Sequence, residues 1–230
     1  MALLFCKYDF KKYKCIFIHI PKTAGTSIEN KLGHFVELSH NVQDHRILSE
    51  IELNTDAKLN IRKIAYVIKR GKWNRIVPAI KNYFKPVISR KTYYSYFKFA
   101  VVRNSWSRMF SYYQMTLRNS SYTEDPADKQ HFLSFKNYLL HHTDPEFMSQ
   151  MRYIKDRNGK IPLDYIIRFE KVQEGFDLVG SKIGMEDTEL PKLLMWKQKD
   201  YSKYYDDQTI EIVRKLFKEE IDYFKFKFGE

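Results

Sequence analysis

Residues 15–27 read CIFIHIPKTAGTS, and this stretch indicates the fold of the chain. Its first part, residues 15–20, is a short apolar run rich in β-branched side chains, which favours a buried strand over a free-standing helix. After the loop, Ile28 and Leu32 stand four residues apart, the spacing of one face of a helix. The sequence therefore predicts a strand, then a loop that contains a lysine and a glycine, and then the start of a helix.

The composition of this loop is typical of a phosphate-binding loop. Unpaired backbone N–H groups and the positive end of the helix dipole attract an anion at a helix N-terminus. Gly25 is expected to let the backbone approach the anion closely, and Lys22 adds a positive charge. The loop therefore predicts a site for phosphate or a similar anion.

The residue order differs from that of a Walker P-loop, G-x-x-x-x-G-K-[ST], in which the lysine follows the glycines and a hydroxyl holds Mg²⁺. Here Lys22 precedes the single glycine, and the sequence offers no good second acidic site for a metal. A P-loop-like nucleotide kinase or NTPase is thus a weaker interpretation that stays open. A non-catalytic nucleotide-binding module is a further alternative.

A second strand and helix are predicted further along the chain. Residues 97–102, FKFAVV, read as a buried strand that ends at Arg103, and a helix is predicted to open at Ser105 as its N-cap. One apolar stripe supports the helix: Trp106, Met109, Phe110, Tyr113 and Leu117. Ser111 lies off this stripe and is expected to face a group held by Arg103, whose planar fork suits two oxygens of a phosphate.

These two constellations resemble the sulfotransferases that use 3′-phosphoadenosine 5′-phosphosulfate (PAPS). The order Pro-Lys-Thr-Ala-Gly-Thr-Ser looks like the 5′-phosphosulfate loop of that family. The family pattern V-R-N-P-x-x-R-x-x-S-x-Y is matched, with Ser105 in place of the proline, by Arg103, Asn104, Arg108, Ser111 and Tyr113. Further along the chain, the later sequence blocks of the family are resembled by Gln150 and by residues 163–170, 190–191 and 200–206. The similarity therefore spans about residues 14–228.

The resemblance implies a donor, a reaction and a set of nucleotide contacts. We expect an α/β protein, a P-loop-like three-layer α/β/α domain over residues 1–230, with the nucleotide at the carboxyl ends of a central, mostly parallel sheet. The implied reaction transfers a sulfuryl group from PAPS to a carbohydrate hydroxyl and releases adenosine 3′,5′-bisphosphate, with no metal required. The implied cofactor-binding residues are Lys22, Thr23, Ala24, Gly25, Thr26, Ser27, Arg103, Ser111 and Lys199.

Lys22 and His45 are the predicted catalytic residues. Lys22 is expected to stabilise the charge on the leaving oxygen, and a histidine suits the base that takes the acceptor proton near neutral pH. Of seven histidines, His45 is expected in the first turn of a helix, with Asp44 as N-cap or orienting partner. Related uronyl and heparan sulfate 2-O-sulfotransferases place a base histidine in this interval. A solvent-facing helix histidine is the alternative, His40 is the reserve base, and His19 is interpreted as a hydrogen-bonded core residue.

Composition fits one enzyme domain. The 230 residues are 43% hydrophobic and 16% aromatic, enough for one sizeable core. Cys6 and Cys15 are interpreted as reduced thiols, and no Cys/His cluster has the spacing of a zinc site. The N-terminal apolar run is too short for a signal peptide, and no stretch reaches the ~20 apolar residues of a membrane span, so a cytoplasmic location is expected.

The net charge of +12 is concentrated in one segment. Residues 60–92 contain ten Lys or Arg and no Asp or Glu, and a basic helical insertion is predicted there. Three interpretations stay open: a solvated face of ordinary helices, a patch for an acidic acceptor, or a surface that lies on anionic lipid at the inner membrane. The expected partner is a carbohydrate, and an acidic or lipid-linked glycan suits the last two. Nucleic acid is not expected, because no base-reading module accompanies the charge.

Overall fold

A computed structural model describes residues 10–36, 43–53, 89–118, 134–193 and 200–230 of the chain. The predicted basic insertion at 60–92 falls outside these residues except for its last four positions. Lys199 and His40, predicted as a nucleotide contact and as the reserve base, also lie outside them.

Within the described residues, three strands form one parallel sheet in the order β1-β2-β3. The strands are β1 Cys15–Ile18, β2 Phe97–Val102 and β3 Tyr165–Arg168. Because the three strands run in the same direction, their carboxyl ends, and the loops that follow them, lie at the same edge of the sheet. The strand β2 has the predicted bounds, whereas β1 ends two residues before its predicted end.

Helices account for most of the other described residues. They are α1 Phe10–Tyr13, α2 Gly25–Lys31, α3 Leu48–Leu53, α4 Arg90–Ser95, α5 Ser105–Arg118, α6 Phe135–His141, α7 Pro145–Met148, α8 Gln150–Ile154, α9 Val172–Ile183, α10 Asp207–Leu216 and α11 Lys218–Phe224. Short 3₁₀ turns lie at Phe169–Lys171 and Tyr201–Tyr204. None of the helices in the described part of the chain has both the length and the apolar character needed to cross a membrane.

The sheet is buried on both faces. Successive side chains of a strand point to opposite faces, so the alternate residues Ile16 and Ile18 pack with one group of helices and Phe17 with another. The first face carries α3, α4, α5, α6, α8, α10 and α11, and the second carries α2 and α9. A strand between two helical layers needs a continuous apolar run, which the sequence CIFI supplies. The α/β fold with its three layers is therefore confirmed.

The helix α5 confirms its predicted stripe over four of five positions. Trp106, Met109, Phe110 and Tyr113 are buried, whereas Leu117 in the last turn is 38% exposed. The predicted N-cap, Ser105, is wrong. The side chain of Asn104 accepts the N–H of Trp106 at 3.1 Å and caps the helix, while Ser105 lies in the first turn and donates its hydroxyl to Glu220.

Candidate active site at the carboxyl ends of β1 and β2

The loop after β1 turns through an unusual backbone conformation. Lys22 and Ala24 have φ angles of 71° and 65°, in the left-handed region that residues other than glycine rarely adopt. The hydroxyl of Thr23 donates to the carbonyl of Ile20 at 2.7 Å, and the N–H of Ser27 turns back to the carbonyl of Ala24 at 3.1 Å. Strained loops of this kind concentrate at ligand sites, where the surrounding structure holds them.

Gly25 is required for a reason that the sequence analysis missed. It is the first residue of α2, and a Cβ at this position would lie 2.0 Å from Cδ2 and 2.2 Å from Nε2 of His19. His19 is only 2% exposed, so its ring has no room to move away. Gly25 therefore makes space for a buried imidazole, and its close approach to an anion stays a prediction.

Arg103 lies beside this loop. Its Nη1 donates to the carbonyl of Lys22 at 3.3 Å, and its Nε donates to the hydroxyl of Ser107 at 3.0 Å. The guanidinium also stands over the ring of Phe169, 4.0 Å from the ring centre, a cation–π contact. The end of β2 and the loop after β1 therefore form one site, which brings together the two residues predicted to bind opposite ends of the nucleotide.

Gln150 clamps the backbone of Arg103. Its Oε1 accepts the N–H of Arg103 at 2.8 Å, and its Nε2 donates to the carbonyl of Arg103 at 2.9 Å. Glu220, which is 1% exposed, accepts the backbone N–H and the Nε2 of Gln150 at 2.6 and 2.9 Å. Two residues distant in sequence thus hold the end of β2 in place, and the sequence analysis assigned them no such role.

Arg108 is buried completely and holds the start of the loop. Its Nε donates to the carbonyl of Pro21 at 3.0 Å, and its Nη1 donates to the carbonyl of Met148 at 2.6 Å. A buried guanidinium is tolerated where acceptors satisfy its N–H groups, as these carbonyls do. Arg108 therefore supports the site from behind.

Positive charge dominates the site. Burial first, and then repulsion from Arg103, Arg118 and Arg108, lower the pKa of Lys22 to about 8. Burial also lowers the pKa of Arg103 to about 10, against the opposing effect of Glu170. A bound anion relieves the repulsion among these cations, so this set of donors fits a ligand that carries phosphate or sulfate groups.

His45 lies in the segment 43–47 between the loop and α3, and it precedes α3 by three residues. Its predicted position in the first turn of a helix is therefore wrong. Asp44 is not an N-cap either, because its carboxylate turns to Arg46 and accepts that residue's Nε at 2.8 Å. The position of His45 instead depends on His19, whose carbonyl lies 3.2 Å from Nδ1 of His45.

The surroundings of His45 keep its imidazole neutral. Although the residue as a whole is exposed, its ring lies against that of His19, with 4.2 Å between the ring centroids. Desolvation first, and then repulsion from His19, hold the pKa of His45 below its ordinary value of 6.5, against the opposing charges of Glu29 and Asp44. A neutral imidazole keeps a free lone pair on one ring nitrogen and is therefore able to act as a base at neutral pH.

The other predicted contacts are distributed around the loop and α5. Thr26 accepts a hydrogen bond from the side chain of Gln43, and Ser27 is buried. Ser111 is partly exposed and lies four residues beyond Ser107, on the same face of α5. The sequence analysis missed Ser107, although its spacing of four residues from both Arg103 and Ser111 was an available signal.

Two surface depressions lie at other places in the described structure. One is lined mainly by α7, α8 and α11, and the other lies between α2 and residues 187–192. Neither lining includes Lys22, His45 or Arg103. Among the described residues, no group of three or more His, Cys, Asp or Glu side chains is arranged to hold a metal ion.

The family model of the Sulfotransferase family matches residues 8–227, which is nearly the whole chain. The chain belongs to the sulfotransferase family. This protein is therefore an enzyme of sulfuryl transfer, in a family that in general uses PAPS as the sulfate donor. No curated protein and no solved structure matches this sulfotransferase.

The contact between Gly25 and His19 generates a first prediction for the sulfotransferase. We expect Gly25→Ala to lower the free energy of unfolding by about 1–3 kcal/mol, because the added methyl group overlaps the buried imidazole. Chemical denaturation monitored by circular dichroism measures the loss. In a double-mutant cycle, His19→Ala removes the obstructing ring, so Gly25→Ala should cost much less in that background. Equal costs in both backgrounds would show that the two residues do not interact.

The lowered pKa of Lys22 generates a second prediction. Below pH 8 the free sulfotransferase carries a protonated Lys22, and above it the lysine is increasingly neutral. Affinity for adenosine 3′,5′-bisphosphate should therefore fall as the pH rises past about 8, by up to about tenfold per pH unit. Isothermal titration calorimetry across this range measures the change. Lys22→Arg, which keeps its charge, is the control, and its affinity should not change with pH over this range. If the affinities of the wild type and Lys22→Arg fall in parallel as the pH rises, the assignment to Lys22 is wrong.

Proposed function

We propose that this sulfotransferase transfers the sulfuryl group of PAPS to a hydroxyl of a carbohydrate acceptor. The observation that carries the proposal is the contact between Arg103 and the carbonyl of Lys22, within a cluster of cations at the carboxyl ends of β1 and β2. A nucleotide with phosphate groups at its 3′ and 5′ positions offers negative charge to both residues at once.

The donor supplies an activated sulfuryl group on its 5′-phosphate and a second phosphate at its 3′ position. We assign the 5′-phosphosulfate to residues 22–27, which form the turn after β1 and the start of α2 and carry backbone N–H and hydroxyl groups. We assign the 3′-phosphate to Arg103 and Ser111. The chemistry of these groups and the family resemblance support both assignments.

In the proposed reaction, the acceptor oxygen attacks sulfur in line as the bond between sulfur and the bridging oxygen breaks. The acceptor proton goes to Nε2 of His45, and adenosine 3′,5′-bisphosphate leaves. Lys22 stabilises the negative charge that develops on the bridging oxygen. Catalysis then consists of positioning and charge stabilisation, as in phosphoryl transfer, and no step requires a metal ion.

The carbohydrate acceptor is proposed from resemblance to uronyl 2-O-sulfotransferases. The basic composition of residues 60–92 favours an acidic or lipid-linked glycan, with peripheral contact to the cytoplasmic face of the membrane. We therefore propose a cytoplasmic enzyme without a nucleic-acid partner.

Replacement of Arg103 tests the nucleotide assignment. We expect Arg103→Ala to weaken binding of adenosine 3′,5′-bisphosphate by about 10- to 100-fold, because a charge-assisted contact to the 3′-phosphate is lost. Binding of adenosine 5′-phosphate should change little. Titration calorimetry measures both, and Arg152→Ala, at an exposed position of α8, is the matched control. Equal losses for the two nucleotides would contradict the assignment of the 3′-phosphate to Arg103.

Replacement of His45 tests catalysis. We expect His45→Ala to lower sulfuryl transfer by about 10²- to 10⁴-fold while the affinity for adenosine 3′,5′-bisphosphate is retained. A ³⁵S-labelled donor with a panel of glycans measures transfer, and His141→Ala, at an exposed histidine, is the control. Undiminished sulfation would remove His45 from the mechanism. Turnover of Mg²⁺-ATP by the wild type would instead favour the NTPase alternative, and nucleotide binding without any transfer would favour a binding module.

A further inference from the structure

A buried carboxylate lies between the loop that joins β1 to α2, called the donor loop from here on, and the segment that carries His45. Glu29, in the middle of α2, has no exposed surface. Its Oε1 accepts the backbone N–H of Asp44 at 2.9 Å and lies 3.0 Å from Nδ1 of His19. A buried carboxylate is costly unless it is paired, so these contacts are expected to be firmly held.

His19 is fixed from several sides. Its ring stacks on Phe17, with ring centroids 5.8 Å apart, and occupies the space above Gly25. Its Nδ1 is at ion-pair distance from Glu29, although the pair does not meet hydrogen-bond geometry. The nearby carboxylate and the close packing therefore hold the ring of His19 in place, and the ring of His45 rests against it.

The carbonyl of His19 determines which nitrogen of His45 carries a proton. A carbonyl oxygen only accepts hydrogen bonds, so Nδ1 of His45, 3.2 Å away, must donate to it. In a neutral imidazole the other nitrogen, Nε2, then has the free lone pair. The base nitrogen is thereby selected by a backbone group.

Glu29 reaches His45 by two routes. One route is the N–H of Asp44, the residue before His45, which anchors the backbone of the segment to α2. The other is His19, which supplies the surface and the carbonyl that orient the ring. Both routes start from the same carboxylate oxygen, so one charge on α2 positions the proposed base relative to the donor loop.

We propose that Glu29 is a positioning residue that holds His45 as its Nδ1–H tautomer, with Nε2 free to accept the proton of the acceptor hydroxyl. This inference rests on the proposed role of His45 as the base. It differs from a simple core ion pair between Glu29 and His19, which would affect stability but not the tautomer of His45.

The test uses the full chain with Glu29→Gln, which keeps the shape of the side chain and removes its charge. Lys31→Ala, from the same helix, is the matched control, since Lys31 pairs with the exposed Asp187. Long-range ¹H–¹⁵N correlation spectra report the protonation of each ring nitrogen of His45, and the His45→Ala spectrum assigns the signals. We expect the Nδ1–H tautomer in the wild type and in Lys31→Ala, and a mixture of tautomers in Glu29→Gln.

Kinetics supply a second readout. In Glu29→Gln we expect the single-turnover rate of transfer to fall by about tenfold or more, as part of the 10²–10⁴ that a general base contributes. The affinity for adenosine 3′,5′-bisphosphate should stay within about threefold of the wild-type value. A variant that loses nucleotide affinity in proportion to its rate would overturn the positioning role, since that result indicates general damage to the site.

The spectra separate a failure of this inference from a failure of the proposed function. An unchanged tautomer in Glu29→Gln overturns the inference even when His45→Ala abolishes sulfation. A tautomer shift in Glu29→Gln supports the positioning even when His45→Ala retains sulfation, in which case the base assignment alone fails. An Nε2–H tautomer in the wild-type spectrum overturns the proposal whether or not Glu29→Gln folds.

Discussion

The buried guanidinium of Arg108 connects the parts of the structure on which the site depends. It donates to the carbonyl of Pro21 in the donor loop and to the carbonyl of Met148 at the end of α7, while its own backbone belongs to α5. A buried cation that lost these acceptors would incur a large desolvation cost. The loop, α5 and α7 are therefore held in one arrangement, and the cations Lys22 and Arg103 keep their positions within it.

A second constraint acts on the opposite side of the loop. The sheet face that carries Phe17 packs against α2, and α2 brings Glu29 under the segment that carries His45. The same helix begins at the donor loop, so any shift of α2 would move the proposed base and the predicted phosphate contacts together. Apolar packing sets the place of the helix, and polar contacts that satisfy buried groups set the orientation of the functional side chains.

The errors of the sequence analysis arise where local pattern and tertiary contact compete. Ser105 is a good N-cap by residue type, but its hydroxyl is drawn to Glu220, and Asn104 caps the helix instead. The sequence predicts His45 in the first turn of a helix, but residues 43–47 are not helical in the structure. There Asp44 is engaged by Arg46 and by the carboxylate of Glu29. Local propensity is a weak prior, and contacts from distant residues override it.

Three properties can be predicted from the sequence alone: the α/β class, the order of the donor loop and the Arg103 motif along the chain, and the membership in the sulfotransferase family. These properties follow from short-range sequence patterns: continuous apolar runs for buried strands, 3.6-residue periodicity for α5, and a lysine and hydroxyls at fixed spacing. Three contacts become visible only in the folded chain: Arg103 contacts the carbonyl of Lys22, Gly25 makes room for His19, and Gln150 holds the end of β2. Such contacts join residues far apart in the chain, and their partners follow from how helices pack on the sheet, which no local pattern encodes.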